Sequence, residues 1–227
     1  MRRVLILFSI IATLPLFAGL PTKPNDKEWN LISADYTWLE TLRKAQPAAP
    51  PNATRKQQIE TLLENYRKIK PTYDAFLNKA EEYYLRTGDA RAAQLMAKDK
   101  IAMADDYMNV LSRYDRALEL YREAQQLDPS NADVAQRIAS ADAKRFVSMN
   151  AFAGVKSGMK EDEVRKLVGL PREDWIKQVV QNNRVFSVWI YPKSDGGASA
   201  IYFDNGVVYH TNWNAAAPPA QAAAQTK

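Results

Sequence analysis

The chain has 227 residues, no cysteine, 46% hydrophobic residues and a formal net charge of +5 at pH 7, so no disulfide framework can form and folded parts must rest on core packing. That length suits one elongated or two small domains. Nucleic acid is a poor partner despite the basic balance, because residues 54–150 carry 16 Lys and Arg against 15 Asp and Glu, residues 151–213 carry 8 against 7, and neither part has the basic face that phosphate binding needs.

Arg2 and Arg3 precede an uncharged run of residues 4–20, the pattern of a secretory n-region and h-region. Residues 1–20 are therefore expected to be a signal peptide or N-terminal anchor, and the protein to be exported to the periplasm or cell envelope. Cleavage after Ala18 would put Leu16 at the minus-three position, and cleavage after Gly19 would put Phe17 there. Both are poor, so an uncleaved inner-membrane anchor is the alternative, although the run is at the short end for a span. Phe17-Ala18-Gly19 has the form of a lipoprotein signal end, but Leu20 stands where the lipidated cysteine would be. Lipidation through a thioether is excluded.

Residues 21–53 read as a helix and a linker. Helix-like composition covers residues 25–44, with Trp29, Trp38 and Leu42 as its larger apolar residues, and the Pro-rich run of residues 45–52 is a stiff connection. Residues 54–150 read as a helical domain. Ile59, Leu62, Leu63 and Tyr66 share one side of a helix over 55–70, which Pro71 is expected to break, and a further helix over 72–87 carries Tyr73, Phe76, Leu77, Ala80 and Tyr84. Gly88-Asp89 turns the chain back.

Tyr114, Ala117, Tyr121, Ala124 and Pro129 then fall at the start, small, aromatic, small and exit positions of a repeat's second helix. Residues 101–129 thus resemble a tetratricopeptide repeat, with Ile101 and Asp105 as degenerate first-helix positions. Ala93 and Ala97 after Gly88-Asp89 look like an eroded earlier unit, but the 24 residues from Ala93 to Ala117 are short of the repeat's period. A single helix from Ala90 to about Leu111 is the competing reading. A helix over 131–147 would cap the stack.

Residues 151–213 carry the most informative segment. Gly158 and Met159 lead into Glu161, Asp162 and Glu163, which place negative charge on a helix's first turn. Val164, Leu167 and Val168 share a face, Gly169 can adopt a left-handed stop and Pro171 forbids continuation. Together with Trp189-Ile190-Tyr191, this order resembles the SmpA/OmlA family of BamE-like outer-membrane lipoproteins, with Lys160 replacing the family's capping hydroxyl so that the capping box is half present. The resemblance implies a helix packed on a three-stranded antiparallel sheet, and a role in outer-membrane assembly or envelope integrity through protein contacts. The absent cysteine is the main departure.

The sheet can also be read from its residues. Strands are expected over 184–191 and 198–203 with a turn at Asp195-Gly196-Gly197, and Asn205-Gly206 signals a two-residue type I′ hairpin. A regular register from that turn pairs Phe203 with Val208, Tyr202 with Tyr209 and Ile201 with His210. It puts Ile201, Phe203, Val208 and His210 toward the helix, and Tyr202, Tyr209 and Trp213 on the opposite face as partner-binding candidates. Aromatics that merely finish the sheet are the bland alternative. A second candidate surface is the concave side of the helices around Tyr84, Met108 and Tyr121, whose bland reading is helix packing. Residues 214–227 are Ala- and Pro-rich and expected to be a disordered tail.

No residue set argues for catalysis. His210 is the only histidine, Ser157 stands at the wrong place of the segment 154–158 for a nucleophile elbow, and Asp105-Asp106 and Glu81-Glu82 are adjacent helical residues that point apart. The expectation is thus an α+β protein, a tetratricopeptide-like helical array followed by a small sheet module, acting as a non-enzymatic envelope adaptor without cofactor, metal or small-molecule substrate. A small envelope enzyme or enzyme inhibitor built on the sheet is the alternative.

Overall fold

In the computed structural model residues 22–216 are described, and the expected signal and most of the expected tail lie outside them. The chain is mixed helix and sheet, with seven α-helices among the described residues and a four-stranded antiparallel sheet at the C-terminal end.

Local signals start most helices. Asn25 caps α1 (Asp26–Ala45), its side chain accepting from the Lys27 and Glu28 N–H groups. Thr54 and Gln57 form a reciprocal capping box on α2 (Arg55–Thr87), which ends at Gly88 with φ 66°. Pro71 does not break this helix: α2 runs through it for 33 residues. The carbonyl deprived of its donor belongs to Arg67, which is exposed like Pro71 itself, so water can satisfy it. Meanwhile Ile69 before the proline and Phe76 after it are buried in one cluster with Ile32, Tyr36 and Leu39 of α1. Burial on both sides of the proline offsets the roughly 3 kcal/mol that an interior proline costs.

Of the two readings of the next segment, the single helix holds: α3 spans Ala90–Asn109. Its alanines Ala92, Ala93, Ala97 and Ala104 are all buried, which lets neighbouring helices approach closely. The chain turns at Ser112, in the left-handed region at φ 51°, into α4 (Tyr114–Leu127), and α5 (Ala132–Lys144) stops three residues short of the expected end. Ala104, Met108, Leu118, Tyr121 and Val134 form the second core between α3, α4 and α5.

The α2–α3 turn is tied by a buried carboxylate. Asp89 accepts from the Tyr83 hydroxyl at 2.8 Å and from Arg91 Nη2 at 2.8 Å. The Arg91 guanidinium, helped by Tyr83, holds its pKa down at about 2. A depressed carboxylate stabilises the fold above its unfolded pKa of about 4 and loses that contribution as pH falls toward the folded value. Asp89→Asn is therefore expected to lower stability at pH 7 and to flatten the loss between about pH 4 and pH 2, measured by urea denaturation at stepped pH. An unchanged acid limb would remove Asp89 from the account.

After α5, Ser148 caps a short helix α6 (Met149–Ala153) that no sequence pattern marks, its hydroxyl accepting from the Ala151 N–H at 3.2 Å. Helix α7 (Glu161–Val168) matches expectation, including the half capping box, in which the Lys160 N–H donates to Glu163 at 2.8 Å, and it stops at Gly169, whose φ of 74° is positive but whose ψ of −172° is extended and not the expected left-handed helical value. A single 3-10 turn (Glu173–Trp175) leads to the strands β1 (Ile176–Gln181), β2 (Arg184–Pro192), β3 (Ala198–Asp204) and β4 (Val207–Ala215), paired in that order. The sheet has four strands, not three, because Asn182 and Asn183 both adopt positive φ and turn an additional strand, β1, onto β2. Strand β4 continues through Asn214 and Ala215, which the composition assigns to the tail.

Phe152, Val155 and Val164 pack on Trp189, Tyr191, Ile201, Phe203 and Val208 to make the third core. Polar contacts join this module to the helices: Arg55 Nη1 donates to the Pro171 carbonyl at 2.9 Å, the Tyr114 hydroxyl to the Leu170 carbonyl at 3.3 Å, and the Val147 N–H to the Pro192 carbonyl at 3.0 Å.

Candidate functional site

The β3–β4 hairpin begins as expected. Asn205 and Gly206 adopt φ 48° and 77°, Asp204 pairs with Val207, and Phe203 with Val208. The register then slips: Tyr202 pairs with His210 and Ile201 with Thr211. Tyr209 is the extra residue of a β-bulge. Because side chains alternate with period two, one inserted residue inverts the positions beyond it, up to a second register shift between Ala200 and Ala198. Two expectations are overturned by that slip. His210 does not face the helix but lies exposed on the outer face, its ring 5.2 Å from Tyr202. Trp213 does not lie beside Tyr202 and Tyr209: it packs against the third core, edge-on to Phe152 at 5.2 Å, with the Lys193 ammonium 5.0 Å over its ring.

Tyr202 and Tyr209 do share the outer face, their ring centroids 6.1 Å apart, and Tyr209 is 52% exposed. Their neighbours are not evident from the hairpin alone. Phe186 meets Tyr209 edge-on at 6.5 Å, Val188 pairs with Tyr202, and Val179 of β1 pairs with Phe186. Arg184 stacks over Phe186 at 5.6 Å and is ion-paired with Asp204, bounding the patch with charge. The arrangement is a contiguous aromatic and aliphatic surface across all four strands, uncovered by any helix of the module. Its signal in the sequence is the alternation Arg184, Phe186, Val188 opposite the Tyr202 row, legible once β2 is set in register with β3.

The other candidate surface is interior. Met108 and Tyr121 are buried in the second core, and Tyr84 is half-buried against the first. The Tyr121 hydroxyl donates to Asp105 at 2.6 Å, and Arg137 is ion-paired with the same carboxylate. Burial, followed by Asp105, pushes the Tyr121 hydroxyl up to about 12, so it stays a neutral donor. Asp106, adjacent to Asp105, accepts from Tyr66 of α2 at 2.6 Å. The two carboxylates do point apart, each toward a different helix, and each is a packing partner of a tyrosine.

A cleft of about 610 Å³ opens where α5, α7 and the 169–172 loop meet the start of α4. Its cations have local partners: Arg145 pairs with Asp142, Arg165 with Asp162 and Arg172 with Asp174, while Lys144 and Lys166 lie in the last turns of α5 and α7, where the helix dipole favours positive charge. The outer sheet face is the stronger candidate. No protein-family model and no curated protein matches the chain.

Proposed function

We propose that the protein is an exported, non-enzymatic adaptor of the bacterial cell envelope that binds protein partners through the outer face of its sheet. The observation that supports it best is the contiguous Val179, Phe186, Val188, Tyr202 and Tyr209 surface, whose rings, half-buried at Phe186 and Tyr202 and exposed at Tyr209, are residue types favoured as contact anchors. In this reading the helical part, with α3, α4 and α5 as a degenerate tetratricopeptide-like unit, is the scaffold. The BamE-like motif from Gly158 to Pro171 with Trp189-Ile190-Tyr191 adds a role in outer-membrane protein assembly or envelope integrity, and the N-terminal signal pattern supplies the compartment.

A photo-crosslinking amino acid placed at Tyr209 in the native cell tests the reading. Envelope proteins should be captured there, and much less capture is expected when Tyr202 and Phe186 are changed to serine. Recovery of cytosolic proteins alone would end it.

A further inference from the structure

The two edges of the sheet are treated differently. On β4 the edge is covered: the Gly158 N–H donates to the Val208 carbonyl at 2.8 Å, the Val208 N–H to the Met159 carbonyl at 2.8 Å, and the Glu161 N–H to the Gly206 carbonyl at 3.1 Å. The bulge at Tyr209 disrupts the regular ladder beyond them. Covering and bulging are two of the devices that close an edge to other strands. On β1 neither device is present. The strand is six residues long, has no proline or bulge, and exposes Val179 at 61% and Val180 at 71%.

The hairpin geometry fixes which backbone groups are free. In a two-residue type I′ hairpin the residues flanking the turn exchange both hydrogen bonds. Gln181, Val179 and Lys177 therefore bond to β2, and Gln178 and Val180 direct their N–H and C=O groups away from it. The β2–β3 pairing agrees, because Val185, opposite Val180, uses its carbonyl for the Asn205 N–H at 2.8 Å and its N–H for the Asn205 side chain at 2.9 Å.

From this contrast we infer that β1 is a docking edge for an extended segment of a protein partner, added to the sheet as a fifth strand. This rests on the reading of the protein as a binder of protein partners and names the form the partner takes. Main-chain bonds to Gln178 and Val180 supply attachment, and side chains along the edge supply selectivity. Val179 and Val180 call for apolar neighbours on the two faces. Lys177 has no carboxylate partner among the described residues, its ammonium donating only to the Asp174 carbonyl at 3.0 Å. A partner carboxylate opposite Lys177 complements it, whereas β1 of a second copy of this chain has no carboxylate to bring there. The partner segment, read antiparallel, is apolar, apolar, any residue, acidic.

The test uses the full chain and a synthetic probe, Ser-Thr-Val-Val-Thr-Glu-Thr-Ser, with amide hydrogen exchange as readout. Without probe, the Gln178 and Val180 amides should exchange fast and the Val179 amide slowly. Saturating probe should slow Gln178 and Val180 at least tenfold, and Lys177→Glu should transfer the preference to a probe carrying Lys in place of Glu. Gln178→Pro removes only an outward N–H, a substitution edge strands tolerate, and should abolish the protection. A probe N-methylated on alternate amides gives the same test with the protein unaltered, and should not bind. Unchanged exchange with the unmodified probe, or equal protection by the N-methylated one, overturns the assignment. So does a concentration-dependent dimer that Gln178→Pro dissolves, since the occupant is then a second copy. Probe binding at β1 without capture of envelope proteins at Tyr209 would keep the edge and remove the envelope role instead.

Discussion

Phe203→Ala is expected to unfold the sheet module, while Tyr202→Ser combined with Tyr209→Ser should leave it folded and weaken only partner capture. Phe203 is fully buried with its ring 4.7 Å from Trp189, and Val164 of α7 and Val208 of β4 belong to the same core. Truncating such a ring removes its transfer free energy and leaves a cavity, at a cost of about 3–5 kcal/mol. That is a large share of what a module with one small core can hold. The outer tyrosines bury far less, and a cross-strand aromatic pair contributes only about 0.2–1 kcal/mol. Urea denaturation followed by tryptophan fluorescence reads the difference, because Trp189 and Trp213 both pack in this core. If the double tyrosine variant were as unstable as Phe203→Ala, the outer rings would be core residues, and the docking surface would have to be sought elsewhere.

The same hairpin measures how much of the site is legible in the sequence. Asn205-Gly206 is a local signal, since both residues must adopt positive φ, and it places the first two pairs correctly. The bulge at Tyr209 has no local signature. Its extra residue, Tyr209, meets Phe186 two strands away, a contact that a single hairpin cannot reveal. One unread insertion therefore misplaces His210 and Trp213 together. Strand β1 escapes for a related reason: Lys177, Gln178, Val179, Val180 and Gln181 are all exposed, so no apolar alternation marks them, and only Asn182-Asn183 before Val185 and Phe186 could suggest a hairpin. In the helical part, Gly88-Asp89 reads well because local chemistry decides the turn there. Pro71 reads badly because packing on both sides of it overrides a local preference, and Met108 and Tyr121 are misplaced onto a surface because a helical face does not say which neighbour covers it.

The buried ion pair of the first core should respond to substitution asymmetrically. Asp99 of α3 is 1% exposed, and its carboxylate lies 2.5 Å from Arg43 Nη2 of α1, yet neither carboxylate oxygen has a well-aligned hydrogen bond. Burial accordingly raises the Asp99 pKa above the ordinary carboxylate range, against the opposing pull of Arg43. A pair held by charge without aligned hydrogen bonds recovers its desolvation cost poorly, so removing one partner is expected to cost about 3–5 kcal/mol and removing both much less. Arg43 keeps Glu40 at 3.0 Å when Asp99 is lost, whereas Asp99 has no second cation within ion-pair distance among the described residues. Arg43→Met should therefore be the more damaging single change, Asp99→Leu the milder, and the double replacement close to the parent protein. The pH dependence has a definite sign. An acid whose folded pKa is raised adds stability below its unfolded pKa of about 4 and loses it as pH rises through the folded value. Arg43→Met raises that value further, so its deficit should be large at pH 7 and shrink toward pH 4, read by urea denaturation at both. A deficit equal at the two pH values would mean that Asp99 carries no charge in the folded protein, and that Arg43 acts there through its packing over Tyr73, whose ring lies 5.9 Å from the guanidinium.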